Sequence, residues 1–367
     1  MTAVVFLAAG GTGGHVFPAV AVAEQLAEKG FRPVLITDPR GRKIIATPPQ
    51  GVTVHTILAA SPFGDSRLKR IKGMLRLALG AAQSVLLAFW HRPRAVMGFG
   101  GYPAVAPVIV GSILGRPVVL HEQNAFFGRA NRFLARHARE IALSWQDTRN
   151  IPDAEQNKVF LAGMPVRAAF RQAPAYSPPG PEGEIRLLIT GGSLGAQVFG
   201  ETVPEAISRL PAGLRGRLAV TQQVRADQME TVRQRYDAAG VSADLHPFIT
   251  DMPTQLGQSH LVISRAGASS VAELAASGRP AVLVPFPGAM DDHQTANART
   301  VADSGGGWCV PEQEMSAGSL AGRIAALVES PDKLSRAAAA IRRLDPGPAA
   351  TILADHTAAL ISKRGAA

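Results

Sequence analysis

Two buried strands in this chain run directly into glycine-rich turns that begin helices. The first is VVFLAAGGTGGH, starting at residue 4, and the second is IRLLITGGSLGAQ, starting at residue 185. A strand, a glycine turn and a helix open a Rossmann-like domain, in which parallel strands alternate with helices. Because the pattern occurs twice in 367 residues, we expect two such domains.

The rest of the chain keeps the alternation of short apolar runs with helix-length amphipathic segments, which is typical of parallel α/β architecture. The predicted strands are 4–8, 33–37, 52–57, 95–97, 117–121, 140–143, 158–161, 185–190, 218–221, 244–248, 261–264 and 281–284. The predicted helices include 15–29, 67–89, 104–114, 129–137 and 348–362. The fold class we expect is α/β, with two Rossmann-like domains facing each other across a cleft that both glycine turns line.

The alternation stops in the proline-rich stretch 163–184, which predicts the linker. We therefore expect an N-terminal domain over residues 1–163 and a C-terminal domain over 164–347. The last helix, about 348–367, can pack back on the N-terminal domain or on the C-terminal domain, and the sequence does not decide between these two positions.

The positive charge lies in one half of the chain. The net charge is +10, and residues 1–166 alone carry 19 Lys and Arg against 9 Asp and Glu. This predicts that one domain faces an anionic partner, either a phospholipid surface or nucleic acid, unless the composition is simply arginine-rich. The single cysteine, Cys309, excludes an intramolecular disulfide and favours a reducing compartment.

Segment 67–94 concentrates this charge, with seven basic residues, no acid and many large apolar residues. The combination predicts an amphipathic segment at a membrane surface, while a core helix with a solvated basic rim is the alternative. Residues 74–90 and 102–120 are too short or too interrupted by proline and arginine to span a bilayer comfortably.

The first glycine turn, residues 10–15, lets backbone amides approach an anion or a sugar at the start of a helix. A nicotinamide-dinucleotide site is the alternative function for such a turn. Its G-x-G-x-x-G pattern fails because Val16 stands at the third glycine position, although Asp38 could still bind a ribose.

The second half carries three further candidate loops. Residues 191–196 are suited to a diphosphate, and the Ser193 hydroxyl adds a donor. In 264–273, Glu273 can accept both hydroxyls of a ribose, or it can simply form a capping box with Ser270. The third loop, 285–297, carries amide and imidazole groups that suit sugar hydroxyls, and a metal there is disfavoured because no second His or Cys is near.

Taken together, seven motifs in this order resemble the MurG family of bacterial glycosyltransferases. They are GGTGGHVFPA, GFGGYPA, HEQNAFFGRANR, GMPVR, GGSLGAQ, RAGASSVAELAA and PFPGAMDDHQTANA, and they span residues 3 to about 300. The resemblance implies a GT-B fold and the transfer of N-acetylglucosamine from UDP-N-acetylglucosamine to lipid I. Met164 stands where the family usually has asparagine, and Pro103 with Ala104 also departs from the family pattern.

The resemblance also implies which residues act. The implied substrate-binding residues are Thr12, Gly13, Gly14, Asn124, Arg167, Ser193, Ile249, Ala268, Ser269, Ser270, Val271, Ala272, Glu273 and Gln294. For the base that inversion at the anomeric carbon requires, His15 is the first candidate and Glu122 the alternative. No cofactor and no metal is implied.

The implied partners are UDP-N-acetylglucosamine, lipid I and an anionic membrane surface contacted through segment 67–94, with no nucleic acid. Other cell-wall synthesis proteins are further candidate partners. The implied location is the cytoplasmic face of the bacterial cell membrane, peripherally bound. The competing functions are a transferase with a diacylglycerol acceptor, a UDP-N-acetylglucosamine 2-epimerase, and a dinucleotide- or lipid-binding module without catalysis.

Overall fold

The computed structural model describes residues 2–45, 47–60, 67–192, 195–289, 292–345 and 347–365. The chain divides into two compact units. The N-terminal unit contains Met1–Val166 together with Pro346–Ala367, and the C-terminal unit contains Arg167–Asp345.

The N-terminal unit is built on a sheet of seven parallel strands in the order β3-β2-β1-β4-β5-β6-β7. The strands are β1 Val4–Ala8, β2 Arg32–Thr37, β3 Thr53–Thr56, β4 Ala95–Gly98, β5 Val118–Glu122, β6 Glu140–Leu143 and β7 Val159–Leu161. The helices are α1 Gly13–Glu28, α2 Pro39–Ile44, α3 Arg67–His91, α4 Tyr102–Ile113 and α5 Arg129–Leu134, with 3-10 turns at Ala135–His137 and Asp153–Lys158.

The C-terminal unit repeats the plan with six parallel strands in the order β10-β9-β8-β11-β12-β13. The strands are β8 Ile185–Thr190, β9 Leu218–Gln223, β10 Ala243–His246, β11 Leu261–Ser264, β12 Ala281–Leu283 and β13 Gly307–Cys309. The helices are α6 Ala168–Arg171, α7 Gln197–Ser208, α8 Ala212–Arg215, α9 Met229–Ala238, α10 Met252–Gln258, α11 Ala268–Ser277, α12 His293–Asp303, α13 Ala317–Val328 and α14 Pro331–Arg342. The 3-10 turns are Ala226–Gln228 and Glu312–Glu314.

Both sheets have the strand order of the Rossmann fold, in which the direction of winding reverses beside the first strand. Every residue of β1, β4, β5 and β11 is buried. Strands buried on both faces are mostly apolar, which is why β1, β4 and β11 were recognisable as apolar runs without alternation, whereas β5 ends on the buried polar residues His121 and Glu122. The predicted α/β class with two Rossmann-like domains is confirmed.

The last helix, α15 Ala349–Gly365, belongs to the N-terminal unit, although it follows the C-terminal unit in sequence. Leu353 and Ala354 are fully buried in the same apolar cluster as Val5 and Leu7 of β1. The Thr357 hydroxyl lies 3.3 Å from Sδ of Met97 on β4. The helix therefore completes the core of a sheet formed some 200 residues earlier in the chain.

Two features of the fold differ from expectation. Strand β13 was not predicted, because its three residues follow a run of glycines and offer too little apolar sequence. Helix α3 is longer than expected and ends at His91. Residues 70–91 have the length and the mean hydropathy, 1.4, of a membrane-crossing helix. Some core helices and signal sequences share these two properties. Only 28% of that apolar window is buried.

Candidate functional site

The glycine turn after β1, residues 10–15, meets a second glycine loop, residues 98–102 at the end of β4, at the carboxyl edge of the N-terminal sheet, where β1 and β4 are neighbours. The Gly10 amide donates to the Gly100 carbonyl over 2.9 Å. A Cβ on Gly10 would lie 3.0 Å from Cα of Gly101, and both Gly100 and Gly101 have positive φ. Glycine is therefore needed here so that the two backbones can touch.

Asp38 is occupied inside the N-terminal unit. Its carboxylate is buried, accepts the Gly41 amide at 2.9 Å to cap α2, and pairs with Arg40 at 2.8 Å. A Cβ on Gly11 would lie 2.2 Å from this carboxylate, which explains the glycine. The dinucleotide alternative thus loses the acid it required for the ribose.

Helix α1 begins beside these loops. Thr12 is the N-cap and is exposed, while Gly13 and Gly14 form the first turn. Their backbone N–H groups therefore point out of the N-terminal end of the helix. His15 follows in the same turn, and its Nδ1 lies 3.1 Å from Oε1 of Gln123. The base candidate is therefore held by the loop that follows β5.

Glu122, the alternative base, is 2% exposed and surrounded by donors from its own loop. Its Oε1 accepts the backbone and side-chain amides of Asn124 at 3.0 and 3.1 Å. Its Oε2 accepts the Gly128 amide at 3.0 Å and the Asn131 side chain at 2.8 Å. Four donors occupy both oxygens of this carboxyl group, which favours a role in shaping the loop over a role as the base.

In the C-terminal unit the candidate loops all leave the carboxyl edge of the sheet. They follow β8, β10, β11 and β12. Strands β8 and β11 are adjacent and mark the switch point, where open α/β sheets bind their ligands. The Arg265 amide donates to the Thr190 carbonyl at 3.3 Å, which joins the loops after these two strands.

Helix α11 starts at Ala268 with Gly267 as its N-cap, so the first turn is built from Ala268, Ser269 and Ser270. The capping box predicted as an alternative role for Glu273 is wrong, because Ser270 lies inside the helix rather than at its cap. The positive end of the helix is thus left to small residues, an arrangement suited to a phosphate.

Two polar side chains of α11, Ser269 and Glu273, stand out for their burial. The Ser269 hydroxyl is buried without a hydrogen-bond partner among the described residues. Burial raises the pKa of Glu273 to about 7, and the nearby Arg167 guanidinium opposes the shift. A desolvated carboxyl and an unsatisfied hydroxyl on one helix are typical of a binding site.

The remaining predicted donor residues lie on separate loops of the same unit. Gln294 accepts the Phe286 amide on Oε1 at 3.0 Å, so its Nε2 is the end that can donate to a ligand. Ile249 is 6% exposed, follows β10 and can offer its backbone groups. Arg167 is exposed and stacks on Phe170 at 5.0 Å, and Ser193 lies outside the described residues.

Val271 and Ala272 are buried against the core and can line the site only through the backbone of α11. The predicted substrate residues thus form two groups. Thr12, Gly13, Gly14 and Asn124 belong to the N-terminal unit, and the other described residues belong to the C-terminal unit.

Three residues outside the predicted catalytic and substrate-binding set are structurally prominent, and one of them, Arg265, was expected to offer positive charge to a ligand. Arg265 is 8% exposed, donates to the Val284 and Pro285 carbonyls and pairs with Glu312, so it holds the loop after β12 rather than offering charge to a ligand. Gln123 and Asn131 organise the loop after β5. Both residues belong to the motif HEQNAFFGRANR, but their structural role is evident only from these contacts.

Among the described residues no three His, Cys, Asp or Glu side chains lie close enough to hold a metal ion. The cationic and amide donors of the C-terminal unit are the groups available to an anionic ligand.

Two Rossmann sheets, with a phosphate-suited switch point in the second, are the architecture of nucleotide-sugar transferases with the GT-B fold, and the family comparison identifies this class. Residues 5–143 match the glycosyltransferase family 28 N-terminal domain, and residues 186–347 match its C-terminal domain. This chain belongs to glycosyltransferase family 28.

The most similar relatives include two proteins named UDP-N-acetylglucosamine--N-acetylmuramyl-(pentapeptide) pyrophosphoryl-undecaprenol N-acetylglucosamine transferase. The one from Rhodospirillum centenum is 47% identical, over 96% of this chain and 93% of the relative. The one from Paramagnetospirillum magneticum is 44% identical, over 98% of each.

The fold of this chain is similar to the folds of solved glycosyltransferase structures. The crystal structure of Acinetobacter baumannii MurG has a TM-score of 0.79 at 28% identity and covers 97% of this chain and 99% of its own. A UDP-glucose:anthocyanidin 3-O-glucosyltransferase, in complex with UDP, has a TM-score of 0.69 at 13% identity and covers 99% of each chain, which shows a shared fold alone.

Proposed function

We propose that this protein transfers N-acetylglucosamine from UDP-N-acetylglucosamine to the C4 hydroxyl of N-acetylmuramic acid in lipid I. The product is the β-1,4-linked disaccharide of lipid II, a step of peptidoglycan synthesis, on which cell shape and cell division depend. The observation that carries the proposal is similarity at 42–47% identity, over nearly the whole chain, to transferases named for this reaction.

The C-terminal unit supplies the nucleotide site in this proposal. Backbone amides of the loop after β8 and the start of α11 bind the diphosphate, and Ser269 donates the hydroxyl that the packing leaves unsatisfied. Glu273 accepts the two ribose hydroxyls, for which its paired oxygens are suited. The backbone at Ile249 binds the uracil.

Further residues bind the transferred sugar and offset the negative charge on the leaving diphosphate. Gln294 directs its Nε2 to a hydroxyl of the transferred sugar, and Asn124 in the N-terminal unit binds the same sugar. Arg167, whose charge is felt at Glu273, offsets charge on the diphosphate as it leaves.

The reaction replaces one bond at C1 of N-acetylglucosamine by another. The C4 oxygen of the acceptor bonds to C1 while the bond between C1 and the diphosphate oxygen breaks, and UDP leaves with the electron pair. Attack from the face opposite UDP inverts the anomeric centre. His15 accepts the proton of the attacking hydroxyl, because a neutral imidazole is a competent base near pH 7.

A transfer assay with purified protein, UDP-N-acetylglucosamine and a lipid I analogue tests the proposal. We expect the β-1,4-linked disaccharide and one UDP for each bond formed. Transfer only to diacylglycerol, or conversion of UDP-N-acetylglucosamine without an acceptor, would overturn it. In a thermal shift measurement UDP raises the melting temperature and NAD does not, and the opposite result favours a dinucleotide-binding module.

Helix α3 is the membrane-contacting element in this proposal. Phe89 and Trp90 are 69% and 72% exposed, and they continue an exposed apolar series of Ile71, Met74, Leu75, Leu79, Val85 and Leu86. A core helix with a basic rim would bury these side chains. An exposed apolar face flanked by basic residues instead favours peripheral binding to anionic lipid at the cytoplasmic face, where lipid I carries its sugar.

Sedimentation with vesicles of phosphatidylglycerol or phosphatidylcholine tests the membrane contact. We expect binding to the anionic vesicles, weakened by salt and reduced at least about tenfold in the double variant Phe89→Ser with Trp90→Ser. Phe248→Ser removes an aromatic side chain that is 60% exposed in the other unit and serves as the control. Equal binding by both variants contradicts the contact, and capture of another cell-wall synthesis protein by the same face would assign α3 to a protein partner.

A further inference from the structure

A line of hydrogen bonds in the N-terminal unit runs from His15 into the core. Nδ1 of His15 lies 3.1 Å from Oε1 of Gln123, and Nε2 of Gln123 lies 3.1 Å from Nδ1 of His121. Nε2 of His121 lies 2.9 Å from the Gly163 carbonyl. His121 and Gln123 are 0% and 1% exposed, so water does not compete for these bonds.

A backbone carbonyl settles the protonation of His121. The Gly163 carbonyl can only accept, so Nε2 of His121 carries a hydrogen. Burial lowers the pKa of His121 to about 4, so its ring is neutral at physiological pH. Its Nδ1 therefore holds a lone pair.

A second carbonyl settles the orientation of Gln123. Its Nε2 lies 3.1 Å from the His121 carbonyl and 3.1 Å from Nδ1 of the same residue, and both of these accept. The two hydrogens of one amide match these two acceptors. Oε1 of Gln123 must then face His15, and because a carbonyl oxygen only accepts, Nδ1 of His15 is the donor.

We propose that Gln123 and His121 are positioning residues that hold His15 as the tautomer protonated on Nδ1, which places its basic lone pair on Nε2. This rests on the proposed role of His15 as the base. Without the two buried partners, a histidine side chain exchanges its proton between the two ring nitrogens, and only one tautomer presents Nε2 to the acceptor hydroxyl.

Gln123, the partner of His15, is uncharged, and this affects how basic the His15 ring is. An aspartate or glutamate would also fix the tautomer, but its charge would stabilise the imidazolium and raise the pKa of His15. The Gln123 amide orients the ring without that charge. Glu122, the last residue of β5, already accepts four hydrogen bonds from Asn124, Gly128 and Asn131. His121 is the other titratable group in the line.

Nitrogen NMR of the full protein with labelled histidine tests the tautomer directly. We expect the His15 signals, assigned by their loss in His15→Asn, to show a protonated Nδ1 and an unprotonated Nε2 at pH 7.5. A His15 ring protonated on Nε2 overturns the proposal. Because this reading needs no substrate, it fails or succeeds separately from the transferase assay.

Two variants connect the tautomer to turnover. In Gln123→Leu we expect the His15 signals to show a mixture of tautomers and kcat to fall about 10- to 100-fold, with the Kd for UDP unchanged. In Gln123→Glu we expect the acidic limb of kcat/KM to move up by about one pH unit. An unaltered His15 tautomer in Gln123→Leu, or an unmoved limb in Gln123→Glu, contradicts the positioning role.

Discussion

Glu273, which we propose binds the ribose, opposes the stability of the fold through its burial. Burial raises the pKa of its carboxyl from 4.5 to about 7, so the folded protein binds this proton more tightly than the unfolded chain does. Below about pH 4.5 the carboxyl is protonated in both the folded and the unfolded state, so its ionisation does not affect stability. The destabilisation grows as the pH rises from there towards the folded pKa of about 7, and it is complete above that pKa.

The variant Glu273→Gln should separate these two effects. At pH 8 we expect its free energy of unfolding to exceed that of the native protein by on the order of 1–3 kcal/mol, and at pH 5 the gain should shrink. Its affinity for UDP should fall roughly 10- to 100-fold, because the ribose loses a charged acceptor. Urea unfolding at both pH values and calorimetric titration with UDP measure the two quantities.

Glu329→Gln is the matched control, since Glu329 is exposed at the end of α13 in the same unit. It should change neither stability nor affinity. A Glu273→Gln protein that binds UDP as tightly as the native protein would remove Glu273 from the ribose site.

At the scale of elements, the glycine turn after β8 is fixed by backbone contact. A Cβ on Gly191 would lie 2.2 Å from the Ala196 amide nitrogen and 2.8 Å from Cα of Gly195. No side chain can move aside to relieve this overlap, because the obstructing atoms are backbone. The close approach keeps the turn tight just ahead of α7, which begins at Gln197.

Gly191→Ala should therefore open the turn. We expect a loss of about 1–3 kcal/mol in the free energy of unfolding and at least a roughly tenfold weaker affinity for UDP. Gly213→Ala is the control, because a Cβ there meets nothing within 4 Å and alanine favours the helix that contains it. Native UDP affinity in Gly191→Ala would show that this turn does not bind the diphosphate.

At the scale of the whole molecule, the chain returns to its first unit after completing the second. Leu353 of α15 is fully buried against residues of β1 and α1. The N-terminal core therefore contains residues from both sides of the C-terminal unit in sequence, whereas the C-terminal unit is one continuous segment. Damage to α15 should be confined to the N-terminal unit.

Leu353→Ala tests this separation. We expect the N-terminal unit to lose about 2–5 kcal/mol, seen by mass spectrometry as faster hydrogen exchange in β1 and α1, while exchange in β8 and the affinity for UDP stay native. Ser362→Ala, an exposed change on the same helix, should leave all of these values unaltered. Equal acceleration in β8 would mean that the two units unfold together.

Much of the fold was predictable because parallel strands covered on both faces are mostly apolar. The strands 4–8, 140–143, 185–190 and 261–264 are found with the predicted bounds. Strand β13 was missed because three residues carry too little pattern to be recognised. The packing of α15 was left open because an apolar helix face does not specify which core it covers.

The sequence by itself determined the two Rossmann sheets and the glycine turns, since local pattern encodes these directly, and the resemblance of its motifs to a known family named the candidate site residues. Tertiary structure decided how the residues are employed. It turned Asp38 into a helix cap, surrounded Glu122 with four donors and joined His15 to Gln123 across 108 positions of sequence. The physical reason is that a hydrogen bond depends on which donors and acceptors are brought within about 3 Å, and folding alone sets those distances.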